Sequence, residues 1–410
     1  MRPGPRLSAG SRLWLAALGS CLLRCSGFTA VPADGGARDG ATGDGGAREA
    51  RADALPAVTC TSTTLRGLMP LGQSTLEADE AGIVPLASGK GVSLVWESEA
   101  KSDPRLYWAW VDFLGKPRGA KELARGRDPL LLPVAGGAVL FYSEGTSLKR
   151  VQLDDQGVFK GQPATVHTPL TSSFDGARVG AVHALVLNGV EEGRDEVHLL
   201  RVGSDGKILS GPTKVPQSGI NSTLARVAWD GRRLLLSWTD MREGTPAVYA
   251  ALFDERGQRQ GNDLRVSAAG TKGAFPSVAP QAGGGFVLCY EQKVTETNHE
   301  VFCARTDGEG KVTNQVQLTR TAGDSFHPRA VAHGALTWVL WDERSAASEP
   351  RLYWQFLDAQ GAPLLAQPRD PEVRGWRPHA VSTPDGLYFL HYNFGSGTSV
   401  LAEVGTVNCF

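Results

Sequence analysis

Neither sign of charge is in excess in this sequence of 410 residues. Lys and Arg number 42 and Asp and Glu number 43, which gives a net charge of −1 with neutral histidines. Proteins that bind nucleic acids normally carry a clear basic excess, so this balance argues against nucleic acid or a comparable polyanion as the partner. Long apolar runs are also lacking after residue 30, and no later segment is predicted to cross a membrane.

Motifs of the common catalytic and metal sites are absent too. The sequence has no P-loop, no dinucleotide-binding glycine motif, no Gly-x-Ser-x-Gly turn and no His-Glu-x-x-His segment. Its six cysteines include no CxxC pair and have no histidine cluster beside them, which argues against a metal site. We therefore expect no cofactor and no metal, and no catalytic residue is assigned from a motif.

The first thirty residues have the pattern of an export signal. Arg2, Arg6 and Arg12 form a basic start, and the short apolar stretch that follows is interrupted at Arg24. Residues 31–57 are rich in Gly, Ala and Asp without apolar periodicity, and they are predicted to form a disordered tether.

Two processing routes remain open for this signal. Cleavage after Ala30 would release the chain, whereas residues 18–21 resemble a bacterial lipobox in which Cys21 is lipidated. The first route gives an extracellular protein and the second a lipoprotein of the periplasm or outer membrane. Membrane attachment is expected only through such an N-terminal lipid.

An internal repeat dominates residues 58–410. In each copy an apolar strand ends in an aromatic residue, except in the third copy, which ends in Asn188. The strand ends fall at residues 96, 142, 188, 238, 290, 341 and 392, which are 46, 46, 50, 52, 51 and 51 residues apart. Each copy before the last holds four short strands, and no copy has an amphipathic helix. The sequence therefore predicts one all-β domain, a seven-bladed β-propeller of four-stranded antiparallel blades.

An Asp-x-x-Gly turn follows the third strand of most copies, as in residues 254–257. The regular acidic spacing is compatible with calcium binding. We interpret these aspartates instead as turn caps, because Asp accepts hydrogen bonds from the backbone ahead of it and Gly adopts the positive φ of the turn.

The seventh copy ends after three strands, so its outer strand has to come from elsewhere. Residues 71–76 stand directly before the first inner strand, and we predict that they pair with the third strand of the last blade and close the ring. A disulfide between Cys60 and Cys409 would lie beside this joint, and a second one is predicted between Cys289 and Cys303, which face each other across a hairpin. A closed ring of this kind is expected to be a monomer.

The loops into strand one and out of strand two emerge on one face of a propeller, and here they carry the unusual residues. Aromatic faces and arginine–carboxylate pairs in this mixture suit a glycan or a protein ligand. The candidate ligand-binding residues are His327, Arg329, Trp376, Arg377, His379, Asp342, Arg344, Asp240 and Arg242. The recurring Asp and Arg residues have an alternative interpretation as architecture between blades, and the non-recurring ones are the stronger site candidates.

A catalytic use of the same rim is the second hypothesis. Sialidase-type propellers are similar in strand pattern, but their Ser-x-Asp-x-Gly-x-Thr-Trp turn is absent. Asp342, Glu343 and Glu291 would then supply the paired carboxylates that glycoside hydrolysis requires.

Residues 227–231, 236–242 and 248–250 resemble repeats of exported propeller proteins of high-GC bacteria, myxobacteria especially. The resemblance covers about residues 60–410 and implies a propeller in an extracytoplasmic compartment, without implying a ligand. We therefore expect an exported or surface-anchored binding or scaffold propeller. The alternative is a glycan-processing hydrolase or lyase.

Overall fold

The computed structural model describes residues 73–74, 81–100, 103–112, 116–170, 173–345, 349–384, 386–394 and 400–407. All of them lie in the unit Ala57–Phe410. The predicted export signal, the tether, the lipidation site Cys21 and the predicted Cys60–Cys409 disulfide fall outside these residues. Within the described ranges no helix has the length and apolarity of a membrane span.

The described residues form 27 strands in seven antiparallel sheets. The chain begins with the short strand β1 (Gln73–Ser74). Blade one contains β2 (Ala81–Pro85), β3 (Gly91–Ala100), β4 (Asp103–Asp112) and β5 (Pro117–Arg125). Blade two contains β6 (Arg127–Val134), β7 (Gly137–Glu144), β8 (Ser147–Leu153) and β9 (Phe159–His167). Blade three contains β10 (Phe174–Val179), β11 (Val182–Glu191), β12 (Arg194–Gly203) and β13 (Ile208–Lys214).

The remaining blades follow the same order. Blade four contains β14 (Ser222–Trp229), β15 (Leu234–Asp240), β16 (Ala247–Phe253) and β17 (Arg259–Arg265). Blade five contains β18 (Lys272–Pro280), β19 (Phe286–Thr295), β20 (Asn298–Thr306) and β21 (Val312–Gln317). Blade six contains β22 (Asp324–His333), β23 (Leu336–Arg344) and β24 (Arg351–Leu357). Blade seven contains β25 (Trp376–Thr383), β26 (Gly386–Phe394) and β27 (Val400–Val407).

The seven sheets form a closed ring, and the predicted seven-bladed propeller is confirmed. The inner strands β2, β6, β10, β14, β18, β22 and β25 each contact the next one, and β25 contacts β2. β1 pairs antiparallel with β27, with Gln73 opposite Leu401, so an N-terminal strand completes blade seven as predicted. This pairing covers the edge that β27 would otherwise expose.

The hydrophobic cores lie between neighbouring blades. One cluster joins Val92 and Leu94 of blade one to Tyr388 and Leu390 of blade seven, and comparable clusters fill other blade interfaces. Because both faces of a blade are covered, its middle strands are apolar throughout, and every residue of β15 and β16 is buried.

The turn after strand three is capped by its aspartate, as the sequence predicts. In blade four the Asp254 Oδ1 atom accepts the N–H groups of Arg256 and Gln258 at 2.9 and 2.8 Å. Gly257 closes the turn with φ of 75°, a conformation that costs a non-glycine residue more. Asp154, Asp307 and Asp358 make the same bonds in their blades.

Two further features complete the scaffold. Cys289 and Cys303 lie opposite each other in β19 and β20 and form the predicted disulfide. Blade six differs from the expected four regular strands, because residues 363–374 reach β24 only through isolated bridges such as Trp354 to Arg369. Blade three, whose copy is degenerate in sequence, nevertheless has all four strands.

Candidate functional site

A β-bulge interrupts the inner strand of five blades at the same level. In each of them the inner strand has one residue more than its partner strand between two paired positions. The residue inside each bulge has φ near +50°, in the left-handed region that non-glycine residues seldom adopt: Asp128, Leu224, Phe275, His327 and Arg377. Bulges of this kind redirect a side chain out of the regular alternation.

In four of the five bulges, a side chain of the preceding blade accepts the main-chain N–H of the bulged residue. The N–H of Phe275 donates to Thr239 Oγ1 at 3.2 Å, and the N–H of Arg377 donates to Asp342 Oδ1 at 3.0 Å. Asp128 bonds Glu97 in the same way at 3.3 Å. In these four blades the acceptor directly follows the residue that ends strand two. These recurring polar residues therefore join neighbouring blades, which agrees with their architectural interpretation.

The bulged residues line a pocket on the ring axis, which we call the axial pocket. Its cavity volume is about 140 Å3. Blades two to seven contribute its walls: Asp128, Ser173, Leu224, Arg226, Phe275, Pro276, His327, Pro328, Arg329, Arg377, Pro378 and His379. Four of the nine residues nominated from the sequence thus meet at one place, namely His327, Arg329, Arg377 and His379.

The walls of the axial pocket have opposite characters. Blades six and seven provide arginines and histidines, whereas Leu224, Phe275 and Pro276 form an apolar side, and Phe275 is 43% exposed. The lining includes Arg226, Arg329 and Arg377 against the single carboxylate of Asp128, so it is basic overall.

Arg329 is held in place by blade seven. Its Nη2 atom lies 3.2 Å from His379 Nδ1, and its Nε atom donates to the Pro378 carbonyl at 3.3 Å. Because a guanidinium only donates, His379 accepts through an unprotonated Nδ1. The carboxyl group of Asp175 lies close to Arg226 and Arg329. Burial raises the pKa of Asp175, and the positive charges of these two arginines partly oppose that increase.

The lining residue His327, whose side chain is partly exposed, is paired with Asp342, which is buried beneath the lining. His327 Nδ1 lies 2.6 Å from Asp342 Oδ1, and the Asp342 side chain has no exposed surface. Burial disfavours the charged form of Asp342, yet His327, Arg344 and the Arg377 N–H outweigh it and lower the pKa of this carboxyl. Burial likewise opposes protonation of His327, but Asp342 raises the pKa of the imidazole above its ordinary value.

Arg344 and Trp376 lie at the interface of blades six and seven instead of in the lining. Arg344 donates to Asp342 Oδ2 at 3.1 Å, and its guanidinium lies 5.1 Å from the Phe326 ring centre and 5.6 Å from that of Trp376. Trp376 packs against the core between blades one and seven. These residues support the axial pocket from behind.

Asp240 and Arg242 belong to a separate network within blade four. Arg242 Nη2 donates to Asp240 and to Asp263 at 2.7 Å each, and Trp238 donates to Asp240 at 2.9 Å. Burial acts against the charge of Asp240, but these bonds prevail and its pKa is lowered. Asp240 stands two residues after its aromatic and Asp342 only one, so the two side chains project from opposite faces of their strands.

Sequence reasoning missed Asp128, Ser173, Leu224 and Arg226. For Asp128 a signal exists, because the pair Asp128-Pro129 repeats the residue-proline pairs of blades five to seven. Proline suits the bulge because it lacks the N–H that the interrupted ladder would leave unpaired. Blades three and four lack the proline, so nothing in their sequences marks the position.

No family model and no curated protein matches the sequence. Oligogalacturonate lyase from Vibrio parahaemolyticus is similar in structure, with 12% identity and a TM-score of 0.51 over 86% of this chain and 96% of that chain. The β-propeller domain of the Trilobed protease from Pyrococcus furiosus has 10% identity and a TM-score of 0.48, over 80% and 94%. The α-L-arabinanase of Penicillium chrysogenum has 14% identity and a TM-score of 0.45, over 86% and 98%. At these identities the likeness concerns the propeller fold alone.

Proposed function

We propose that this protein is an exported binding propeller whose axial pocket holds the acidic end of a glycan. The observation that carries the proposal is the convergence of Arg226, Arg329 and Arg377 on one concavity that has a single carboxylate in its lining. Guanidinium groups bind carboxylates through paired, charge-assisted hydrogen bonds, so an anionic group is the ligand chemistry that this wall favours.

The other walls favour a sugar over a protein surface. Leu224, Phe275 and Pro276 offer apolar area to the C–H face of a sugar ring, and Ser173 and Asp128 offer hydroxyl and carboxylate groups to its hydroxyls. A protein partner would need a broad face instead of this narrow axial opening.

The near-zero net charge of the chain is compatible with an acidic ligand. A polyanion is bound best by a protein with a large basic surface. A ligand with one carboxylate needs only a local basic site. The axial pocket concentrates basic residues at one point of a neutral molecule, so the ligand is expected to enter by a terminal unit.

The test compares an acidic with a neutral disaccharide. One structural neighbour is named for oligogalacturonate, which makes a galacturonate disaccharide a practical probe beside the corresponding galactose disaccharide. Calorimetry should detect binding of the acidic probe only. Arg329→Ala and Arg377→Ala should each weaken it about tenfold or more, because each removes a charged hydrogen-bonding group.

Arg374→Ala is the matched control, since this arginine lies outside the axial pocket with 69% of its side chain exposed. It should leave the affinity unchanged. Equal affinity for both disaccharides, or equal loss in all three variants, would contradict the proposed ligand class.

A glycan-processing activity is the second candidate, and one observation favours it. Glu291 and Asp342 lie close together with their pKa values moved apart, raised in Glu291 by burial and lowered in Asp342, as in an acid–base pair. Both carboxylates, however, accept main-chain N–H groups behind the lining. Chain shortening of an acidic oligosaccharide by the wild type, lost in Asp342→Asn, would replace the binding-only proposal with this one.

Export of the protein is supported by the Cys289–Cys303 disulfide, because such bonds persist in oxidising compartments. Mass spectrometry of the mature N-terminus distinguishes the two proposed forms. A lipid on Cys21 indicates anchoring, and an unmodified terminus near Ala30 indicates free secretion.

A further inference from the structure

A chain of hydrogen bonds crosses three blades behind the basic wall of the axial pocket. Glu291 of β19 accepts the main-chain N–H of His327 at 2.6 Å. The imidazole of His327 bonds Asp342 Oδ1 at 2.6 Å, and the same oxygen accepts the N–H of Arg377 at 3.0 Å. Since His327 and Arg377 both line the axial pocket, the two buried carboxyl groups determine where these residues stand.

The acceptor at the Glu291 position does not need a charge. In blade four the equivalent residue is Thr239, whose neutral hydroxyl accepts the N–H of Phe275 at 3.2 Å. Blade five instead has a carboxyl group with only 5% of the residue exposed. Blade five therefore has the titratable residue Glu291 at the position where blade four makes the same hydrogen bond with the neutral residue Thr239.

The groups around Glu291 place the pKa of its carboxyl group near neutral pH. Burial raises the pKa of Glu291 to about 7, His327 and Arg344 act against this increase, and Asp342 adds to it. These three groups come from β22 and β23. The cross-strand neighbours of Glu291, Ala274 of β18 and Val301 of β20, carry no charge.

We propose that Glu291 is a positioning residue that holds His327 in the lining and makes the affinity of the axial pocket for an anionic ligand depend on proton concentration. The predicted effect on affinity rests on the proposed function, because it requires a negatively charged ligand. The role of Glu291 in positioning His327 rests only on the hydrogen-bond chain.

The direction of the pH dependence follows from the charges. Below neutrality Glu291 is protonated, and its carbonyl oxygen still accepts the His327 N–H. Above neutrality it is ionised and places a negative charge directly behind the basic wall, which repels an anionic ligand. Affinity for the galacturonate disaccharide should therefore be higher at pH 6 than at pH 8, by about fivefold if the two charges interact with about 1 kcal/mol.

Glu291→Gln tests this role because an amide keeps the acceptor and removes the charge. The variant should bind the acidic disaccharide as tightly as the wild type at pH 6 and more tightly at pH 8, so its affinity ratio between the two pH values is smaller. Glu291→Leu removes the acceptor as well and should weaken binding at both values. Glu300→Gln, at a buried carboxyl of β20 outside the lining, should keep the wild-type ratio.

A readout without ligand separates this inference from the proposed function. The amide proton resonance of His327 should shift between pH 6 and pH 8 in the wild type, and the shift should be clearly smaller in Glu291→Gln, where the His327 imidazole still titrates but the neighbouring carboxyl group does not. If no disaccharide binds but the transition is present, the ligand class fails and the positioning role stands. An unchanged amide titration in Glu291→Gln, or an unchanged affinity ratio when the probe binds, overturns the inference.

Discussion

Single residues in left-handed conformation decide which side chains reach the axis of this ring. His327 and Arg377 have φ of 52° and 49°, and each is held by a carboxylate through its main-chain N–H. Strain of this kind costs about 1 to 3 kcal/mol for each residue and persists where surrounding contacts impose it. The five bulges that form the axial pocket therefore lower the free energy of unfolding.

Two buried histidines should make the protein sensitive to acid. The side chains of His183 and His391 are almost wholly buried, and burial lowers their pKa values to about 4 and about 3. In the unfolded chain both titrate near pH 6.5. Unfolding therefore takes up protons below that pH, so the free energy of unfolding should be highest above about pH 6.5 and fall as the pH decreases towards 4.

Urea denaturation at pH 7 and pH 5 measures this effect. At pH 5 the protonation of His391 on unfolding should lower the free energy of unfolding by about 2 kcal/mol. His391→Leu should reduce the difference between the two pH values by about that amount. His198→Gln, at a partly exposed histidine of β12, serves as the control, and an equal reduction there would contradict the assignment.

At the scale of elements, the β19–β20 hairpin combines a predicted disulfide with the positioning residue. Cys289 and Glu291 lie two residues apart in β19, so the covalent link stands beside the strand end that carries the carboxyl group. The cysteines were assigned from their places in the repeat, and the register confirms that they are opposite each other. The role of Glu291 could not be predicted in this way, because it depends on a contact with His327 of the next blade.

Removal of this disulfide should destabilise the propeller. The bond joins cysteines 14 residues apart, and the chain-entropy estimate for a loop of this length is about 3 kcal/mol. Cys289→Ala combined with Cys303→Ala should lower the free energy of unfolding by about that amount in chemical denaturation. A reducing agent should lower the wild type similarly and leave the double variant unchanged, and a wild type indifferent to reduction would contradict this.

On the scale of the whole molecule, the ring is completed by strands from the two ends of the propeller sequence. β1 contributes only Gln73 and Ser74 to the ladder with β27 among the described residues. Without it blade seven would have an exposed edge, and exposed edges favour pairing between molecules.

Disruption of β1 should therefore open the ring and promote association. Gln73→Pro with Ser74→Pro removes the N–H donors of the strand and should lower the melting temperature and produce dimers in light scattering at high concentration. Leu209→Pro with Ser210→Pro disrupts the outer strand β13 without touching the closure and should cause less of both. Equal effects in the two variants would show that closure has no special role.

The local sequence determined the blades of this protein because a blade is built from neighbouring residues. The spacing of the strand ends, the Asp-x-x-Gly turns and the facing cysteines each depend on contacts within one repeat, so their outcome was predictable from one chain. The candidate site was predicted only in part, from residues such as His327 and Arg377 that break the repeat.

Only the tertiary structure decided which of these residues share a site. The bulge that turns His327 into the lining depends on an acceptor from the preceding blade, and Arg226 reaches the same concavity from blade four without any distinguishing pattern. The separation of Asp240 from Asp342 depends on a shift of one residue in the strand, which sends equal side chains to opposite faces. Such contacts join residues that are distant in sequence, and closure of the ring is what brings them to the axis.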